Sequence, residues 1–379
     1  MIRKSDIQWW VLEVKRHPES APTIIEELAE RLTELDAENE RLRDEIIRLQ
    51  RRGPAATDSA EVSALRQKIA TLQSLLDSLS DGTAPAQLSV ALFSYRLQSA
   101  SISLPQVQRL VEEGRPVLSR QALLGVCCLL LVRPQDELLL LTSRGHGLRV
   151  QPSDVPSLVE GGDWLVAEGQ ALAADERLTA AVAVGEPPRF WTVVTRRGYV
   201  QPLIHIDFDR KGARGEPLVE SPFRNDPPVA IVNGDQGDLM LFTRWGKWGR
   251  FSHRAIAGQG SVALELEPDD EVAAALSLPS DAEVVIATAA GYAMRRDTAR
   301  LEARSRPGGK GKALIQAFDV LGAFLYESEA QLLYLTYSGK LAPVAVKDIP
   351  LHERFSKGMQ VCPLDRDQAV AVALVPATP

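Results

Sequence analysis

Five runs along this chain end in a threonine followed three residues later by a glycine: "LLTSRG" to Gly145, "VVTRRG" to Gly198, "LFTRWG" to Gly246, "IATAAG" to Gly291 and "YLTYSG" to Gly339. The threonines at 142, 195, 243, 288 and 336 stand 53, 48, 45 and 48 residues apart. A recurrence that regular marks one structural unit copied along the chain. Each copy reads as a hairpin. Aliphatic and β-branched residues, such as Leu138 to Leu141 or Val284 to Ile286, precede the threonine, and mixed apolar and polar residues follow the glycine. That is the pattern of two short strands. Glycine suits the turn because a short hairpin loop calls for positive φ, which a residue without Cβ adopts freely. Threonine tolerates the extended backbone at the strand end.

Counting back 48 residues from Thr142 reaches Ser94 in "SVALFSYRLQSASI", an apolar run with no glycine in its turn. It reads as a degenerate first copy, since terminal repeats lack a neighbour and are often atypical. Six units of about four short strands fit a closed propeller better than an open solenoid, because closure leaves few free sheet edges. The expected fold class is all-β: a six-bladed β-propeller over 86–379, preceded by α-helical coiled-coil segments.

The helical part is 1–80. Asp6 to Arg16 reads as a short helix ending before Pro18. Thr23 and Glu26 then form a capping box. Behind them Ile25, Leu28, Leu32, Leu35, Asn39, Leu42, Ile46 and Leu49 alternate by three and four, the a and d positions of a heptad. After the break "RRGPAATDS", Val62, Leu65, Ile69, Leu72, Leu76 and Leu79 keep that spacing. Two arrangements bury such a seam. One is a parallel homodimeric coiled coil, in which Asn39 at an a position sets register; the other is an antiparallel hairpin within one chain, bent at Gly53 and Pro54. The length of the first segment and its polar core residue favour the dimer. A small-residue linker, 81–85, leads into the repeats.

The bulk properties exclude several classes. Over 379 residues, 45% are hydrophobic and 25% charged, ordinary globular values. Cys127 and Cys128 in "GVCCLLLV" read as small buried hydrophobes, and no CxxC or His/Cys cluster points to a metal. The longest apolar stretch, 122–132, is too short to cross a membrane, and "MIRKSDIQWW" does not resemble a signal peptide, so a cytoplasmic protein with no membrane partner is expected. No cofactor is implied, as no P-loop or dinucleotide fingerprint is present. The histidines at 17, 146, 205, 253 and 352 are scattered, and alternation in "LIHIDFD" places His205, Asp207 and Asp209 on the solvent face of a strand. No catalytic residue is assigned.

The repeated turns, in "ELLLLTSRGHGLRV", "DLMLFTRWGKWGRF" and "EVVIATAAGYAMRR", resemble those of the C-terminal domains of bacterial DNA gyrase A and its topoisomerase IV counterpart, over residues 86 to about 375. The resemblance implies a six-bladed β-pinwheel that binds double-stranded DNA on its outer edge and bends it. It does not extend to the breakage-and-reunion part of those proteins, so no enzyme is implied. "RSRPGGKG", Arg304 to Gly311, resembles the basic, glycine-rich box of that family, with proline in place of an expected neighbour, no glutamine ahead and a position between the fifth and sixth repeats. It reads equally as an exposed inter-blade loop.

A curved surface lined by Lys and Arg neutralises phosphates without reading bases. Beside the repeated turns stand Arg144, Arg196, Arg197, Arg244, Lys247, Arg250, Arg295, Arg296 and Lys340, with Arg304, Arg306, Lys310 and Lys312 in the glycine-rich segment. These are the candidate DNA contacts. The charge total points the other way. After residue 84 there are 31 Lys and Arg against 34 Asp and Glu, and the whole chain is −7. Weak, salt-sensitive binding follows. Two function classes therefore stand side by side: a non-catalytic DNA-bending accessory protein, and a protein-interaction scaffold or regulator of a topoisomerase or other chromosome-associated protein.

Overall fold

The computed structural model describes residues 88–376 apart from 124, 159–164, 167–171, 236, 280–281, 318, 363 and 365–366. The chain divides into two units, Met1–Pro85 and Ala86–Pro379. The helix, heptads and linker expected within 1–85 lie outside the described residues.

Each copy of the repeat supplies a hairpin, an outer element and an inner strand. The first is β1 (Ser89–Ser94), β2 (Gln98–Ser103), α1 (Leu104–Glu112), the single turn α2 (Arg120–Leu123) and β3 (Val126–Val132). Next come β4 (Glu137–Thr142), β5 (Gly147–Val150), β6 (Leu165–Val166) and β7 (Leu178–Val184). The third copy is β8 (Phe190–Thr195), β9 (Tyr199–Ile204), α3 (His205–Arg214) and β10 (Pro228–Asn233). The fourth is β11 (Asp238–Thr243), β12 (Lys247–Ser252), β13 (Ser261–Val262) and β14 (Val272–Leu278). The fifth is β15 (Glu283–Thr288), β16 (Tyr292–Asp297), β17 (Lys312–Ala313) and β18 (Val320–Leu325). The last is β19 (Ala330–Thr336), β20 (Leu341–Ala345), β21 (Met359–Gln360) and β22 (Ala369–Pro376). Among the described residues no helix is long and apolar enough to cross a membrane.

These strands form six antiparallel sheets, ordered β3-β1-β2-β6, β5-β4-β7, β10-β8-β9-β13, β14-β11-β12-β17, β18-β15-β16-β21 and β20-β19-β22. The outer strand comes from a later copy than the hairpin it joins. β6, β13, β17 and β21 each cross back to the hairpin one copy earlier. The second and sixth sheets carry a helix in that place: α3 packs on β5, and α1 packs on β20.

The continuous apolar runs before each threonine have a simple cause. The first hairpin strand is covered on both faces, so successive side chains enter two different cores. Leu138 and Leu140 pack with Ala91 and Phe93 of the first sheet, while Leu139 and Leu141 pack with Trp191 and Val193 of the third. Leu239 and Leu241 likewise pair with Val194 and Val200, and Met240 and Phe242 with Val284 and Ile286. Leu332 and Tyr334 meet Val285 and Ala287, and Leu333 and Leu335 meet Val90 and Leu92. The sixth sheet thus packs on the first. Fully burying each such side chain contributes roughly 1.5–3 kcal/mol. The inner strands β3, β7, β10, β14, β18 and β22 line a cavity of about 630 Å³.

Two sequence expectations are corrected. "HIDFDR" is not the end of a strand: β9 stops at Ile204 and α3 follows, its Phe208 buried and its C-cap Gly215 left-handed at φ 65°. Asp207 in the first turn and Lys211 and Arg214 in the last complement the helix dipole, which outweighs a short alternation. Cys127 and Cys128 are half-buried rather than buried, because β3 is an inner strand beside the cavity; of the three cysteines only Cys362 is buried.

His253, 8% exposed, bridges two sheets through Thr192 Oγ1 (2.9 Å from Nδ1) and Ser277 Oγ (3.2 Å from Nε2). Burial pushes its imidazole down to about 4. The unfolded imidazole titrates near ~6.5, so between those values the unfolded chain holds more protons, and stability falls as pH is lowered through that window. The loss attributable to His253 is about 3 kcal/mol. Denaturant unfolding at pH 7 and pH 4.5 checks this: His253→Gln should show a shallower pH dependence than wild type.

Candidate nucleic-acid interface on the turns and the outer edge

The turns are built alike. In each the glycine N–H donates to the threonine carbonyl, at 2.9 Å for Gly145 and 3.0 Å for Gly246, and the glycine lies at φ 74–84°. The degenerate copy keeps the geometry with Leu97 at φ 65° donating to the Ser94 carbonyl. The threonine does more than tolerate an extended backbone. Its buried hydroxyl accepts the N–H four residues on: Tyr199 to Thr195 at 3.1 Å, Lys247 to Thr243 at 3.2 Å, Tyr292 to Thr288 at 3.1 Å, and Gln98 to Ser94 at 3.0 Å. Only a short hydroxyl side chain reaches that donor, which explains why serine alone replaces threonine.

An acid two residues ahead of the inner strand completes several turns, a feature that the threonine and glycine spacing does not reveal. Asp226 accepts the Thr195 hydroxyl and the Arg197 N–H, both at 2.6 Å. Asp270 accepts from Trp245 N and Asp367 from Ser338 N, each at 3.1 Å. Glu176 accepts the Thr142 hydroxyl and lies 2.8 Å from His146 Nδ1. The available signal is an acid recurring before the second apolar run of each of these copies.

These acids and their neighbours claim many of the candidate cations. Arg144 pairs with Asp175 (2.5 Å), and Lys247 with Glu267 (2.6 Å). Arg244 lies between Asp319 (2.7 Å) and Glu271 (3.3 Å), and Arg196 reaches the other Glu271 oxygen at 3.5 Å. The hydrogen bond to Asp319 raises Arg244 above its usual value. Arg196, Glu271, Arg244 and Asp319 therefore form one chain of ion pairs across neighbouring sheets. Arg197 is exposed and sits 5.5 Å over the Phe223 ring; Lys340 is exposed. Arg96, the counterpart of Arg144 and Arg197 in the degenerate turn, is also exposed, and sequence reasoning misses it for want of a glycine to mark that turn.

Deeper in the hairpins the arginines are structural. Arg250 is buried, donating to Asp238 (2.7 Å) and to the Thr298 and Leu301 carbonyls (2.7 and 3.2 Å). Arg295 pairs with Glu283 and stacks 3.8 Å from the Tyr326 ring centre. Arg149 makes the same diagonal pair with Glu137 in the second sheet. Arg296 is buried, and burial, then Arg300, holds its guanidinium below the usual value.

The glycine-rich segment does not lie where chain order suggests. Although it follows the fifth hairpin, it runs along the outer edge of the fourth sheet: Arg304 N donates to the Arg250 carbonyl at 2.8 Å, Lys312 and Ala313 pair with β12, and Leu314 N donates to the Gly246 carbonyl at 2.9 Å. Arg304 is half-buried and binds the Gly308 and Lys310 carbonyls, so it shapes the loop. Arg306, Lys310 and Lys312 are exposed to solvent, with Lys312 5.9 Å from the Trp248 ring. They hold no direct ion pair among the described residues; Lys310 feels Glu267, whose carboxylate Lys247 already binds.

No protein-family model matches the chain. Among curated proteins it is similar to the DNA gyrase A protein of Mycolicibacterium smegmatis (strain ATCC 700084 / mc(2)155), 25% identical over 255 residues that cover 63% of this chain and 30% of that protein. The Haemophilus influenzae gyrase A protein is 23% identical over 284 residues, 64% of this chain and 32% of its own. That of Campylobacter fetus is 31% identical over 126 residues, 31% and 14% respectively. The chain thus spans about a third or less of the length of the curated relatives it matches. Its fold is that of the C-terminal domain of DNA topoisomerase IV (TM-score 0.53, 18% identity, 78% of this chain and 95% of that one) and of the DNA gyrase A C-terminal domain (TM-score 0.60, 14% identity, 76% and 99%).

Proposed function

We infer, from the fold shared with the C-terminal domains of DNA gyrase A and topoisomerase IV and from the sequence likeness to whole gyrase A proteins, that this protein binds and bends double-stranded DNA without catalysing its breakage. The six sheets are read as six blades of a closed propeller; the sixth sheet packed on the first, and the cavity ringed by inner strands, support that. The contacts are to phosphates, through the outer edge.

One observation carries the reading: cations are distributed unequally around that edge. Along the fourth sheet the segment 300–312 carries Arg300, Arg304, Arg306, Lys310 and Lys312 against Glu302. Arg300 is paired with Glu353 (2.6 Å), and Glu265 and Glu267 lie beside Lys310, so Arg306 and Lys312 are the freest of the five. On α3 and its continuation Arg210, Lys211 and Arg214 are offset by Asp207, Asp209 and Glu216. Along the sixth sheet Arg109 and Arg115 are offset by Glu112 and Glu113. Among the described residues of the stretch that supplies β6 to the first sheet, Asp154 is exposed and no Lys or Arg stands beside it. The duplex is therefore held on an arc centred on the fourth sheet, so the bend is partial. Cations already paired at the turns contribute less, since each must first give up its carboxylate.

Dimerisation through the heptads of 1–80 would put two such arcs on one duplex and raise the effective concentration of the second. A solution mass of twice one chain supports the dimer, and a mass of one chain supports the intrachain hairpin.

The deciding experiment titrates the full-length protein against a ~40-base-pair duplex across a salt series. With about three to five phosphate contacts, log affinity should fall with log salt at a slope of about −3 to −5, with little dependence on average base composition. Absence of binding at low salt overturns the DNA reading in favour of the protein-interaction scaffold, which the net charge of −7 would suit.

A further inference from the structure

The segment between β20 and β21 runs along the outer edge of the fifth sheet, held by Arg295 N to the Pro350 carbonyl (3.3 Å) and His352 N to the Arg295 carbonyl (2.9 Å). Within a short span it presents three large apolar side chains to water: Leu351 (46% exposed), Phe355 (53%) and Met359 (38%). Phe355 stands beside exposed Arg354, and Lys357, also exposed, lies 4.1 Å over the Tyr292 ring. The nearby acid Glu353 is taken up by Arg300 at 2.6 Å, which leaves Arg354 and Lys357 as the loop's cations around Phe355. The loop is braced. The Ser356 hydroxyl lies 3.1 Å from His352 Nδ1 and accepts the Gly358 N–H at 3.3 Å, and Gly358 turns the chain at φ 79°.

This loop is joined directly to the cation-rich segment of the fourth sheet. Gln316 N donates to the Ser356 carbonyl at 2.8 Å, and Ile315 bridges Ser356. Among the described residues, the other exposed large apolar side chains stand elsewhere: Ile204 and Ile206 at α3, where charges balance, and Tyr95 and Tyr337 in the turns. Exposed apolar bulk and surplus positive charge coincide at this one place.

Resting on the DNA reading above, we propose that Phe355 is an apolar wedge that enters the minor groove and partly unstacks one base step, with Leu351 and Met359 lining the groove floor beside it. A side chain projecting from an outer edge needs a concave receptor with negative walls. The minor groove, flanked by phosphate rows that Arg354, Lys357 and Lys312 would meet, has that shape and charge. Unstacking localises the bend that a short cationic arc alone distributes weakly. Flexible pyrimidine–purine steps, TA above all, are then favoured at the kink although no base edge is hydrogen-bonded.

The test uses the full-length protein and a duplex carrying 2-aminopurine beside a central TA step, with donor and acceptor dyes at its ends. Wild type should raise the 2-aminopurine emission and shorten the end-to-end distance. Phe355→Ala should abolish the emission change, reduce the bend and lower affinity about 10-fold. Its salt slope should stay unchanged, since no charge is removed. Phe355→Leu, another wedge-forming residue, should restore part of the bend. Wild-type binding with an unaltered bend and emission in Phe355→Ala overturns the wedge while leaving the DNA reading standing, and assigns the apolar trio to a protein partner. Failure of wild type to bind any duplex removes both.

Discussion

Gly246→Ala is expected to destabilise the β-rich unit by about 3–5 kcal/mol, well above the usual cost of a surface substitution. Two effects add. The residue lies at φ 74°, where an alanine costs roughly 1–2 kcal/mol. Its Cβ would also overlap the Ile315 carbonyl oxygen, a backbone atom that cannot rotate away. To relieve that overlap the outer segment must move, breaking the hydrogen bonds from Leu314 and Ile315 to the Gly246 carbonyl. Denaturant unfolding measures the loss. Gly258→Ala is the control: its added Cβ meets nothing within 4 Å, so little change is expected. A Gly246 variant as stable as the control would show that the outer segment is not pinned to the turn.

Joint replacement of Arg306, Lys310 and Lys312 by alanine should lower duplex affinity on the order of 100-fold near physiological salt and make the salt slope shallower by about 3. The physical basis is availability. These side chains are exposed and hold no direct ion pair among the described residues, so a phosphate meets them without displacing a carboxylate. Arg196 and Arg244 are each bound to Glu271, and Arg244 also to Asp319. Replacing those two removes cations and leaves the carboxylates, with an expected loss of under about 10-fold. Equal losses from the two variants, compared by titration with one duplex at several salt concentrations, would place the contacts on the turns as much as on the edge.

The hairpins are legible in the sequence because their signal is local and repeated. A glycine at positive φ, a hydroxyl at the strand end and an apolar run before it are needed by each turn independently of the rest of the chain. Even the copy lacking glycine is visible by spacing, and Leu97 takes the glycine's conformation there. The outer elements are not legible. β6, β13, β17 and β21 are two residues each and carry no period, and they pair with a sheet one copy back, so chain order points to the wrong sheet. "RSRPGGKG" accordingly stands between the fifth and sixth repeats in sequence and edges the fourth sheet in space. α3 reads as strand because a short alternation outweighs a charge order and a C-cap glycine that lie farther on.

What the amino-acid sequence determined by itself is therefore the unit and its repetition: six hairpins, the buried strand at the heart of each sheet, and the position of each hairpin turn. Those follow from side-chain period and backbone sterics, which act within a few residues. The tertiary structure alone decided which cations are available. Arg250 and Arg295 look in the sequence like Arg306, yet the first two pair diagonally across a hairpin with Asp238 and Glu283, and Arg244 meets an aspartate 75 residues away. Whether a charge is already paired depends on what folding brings within about 4 Å of it, and a separation of that kind is set by sheet packing, not by sequence neighbours.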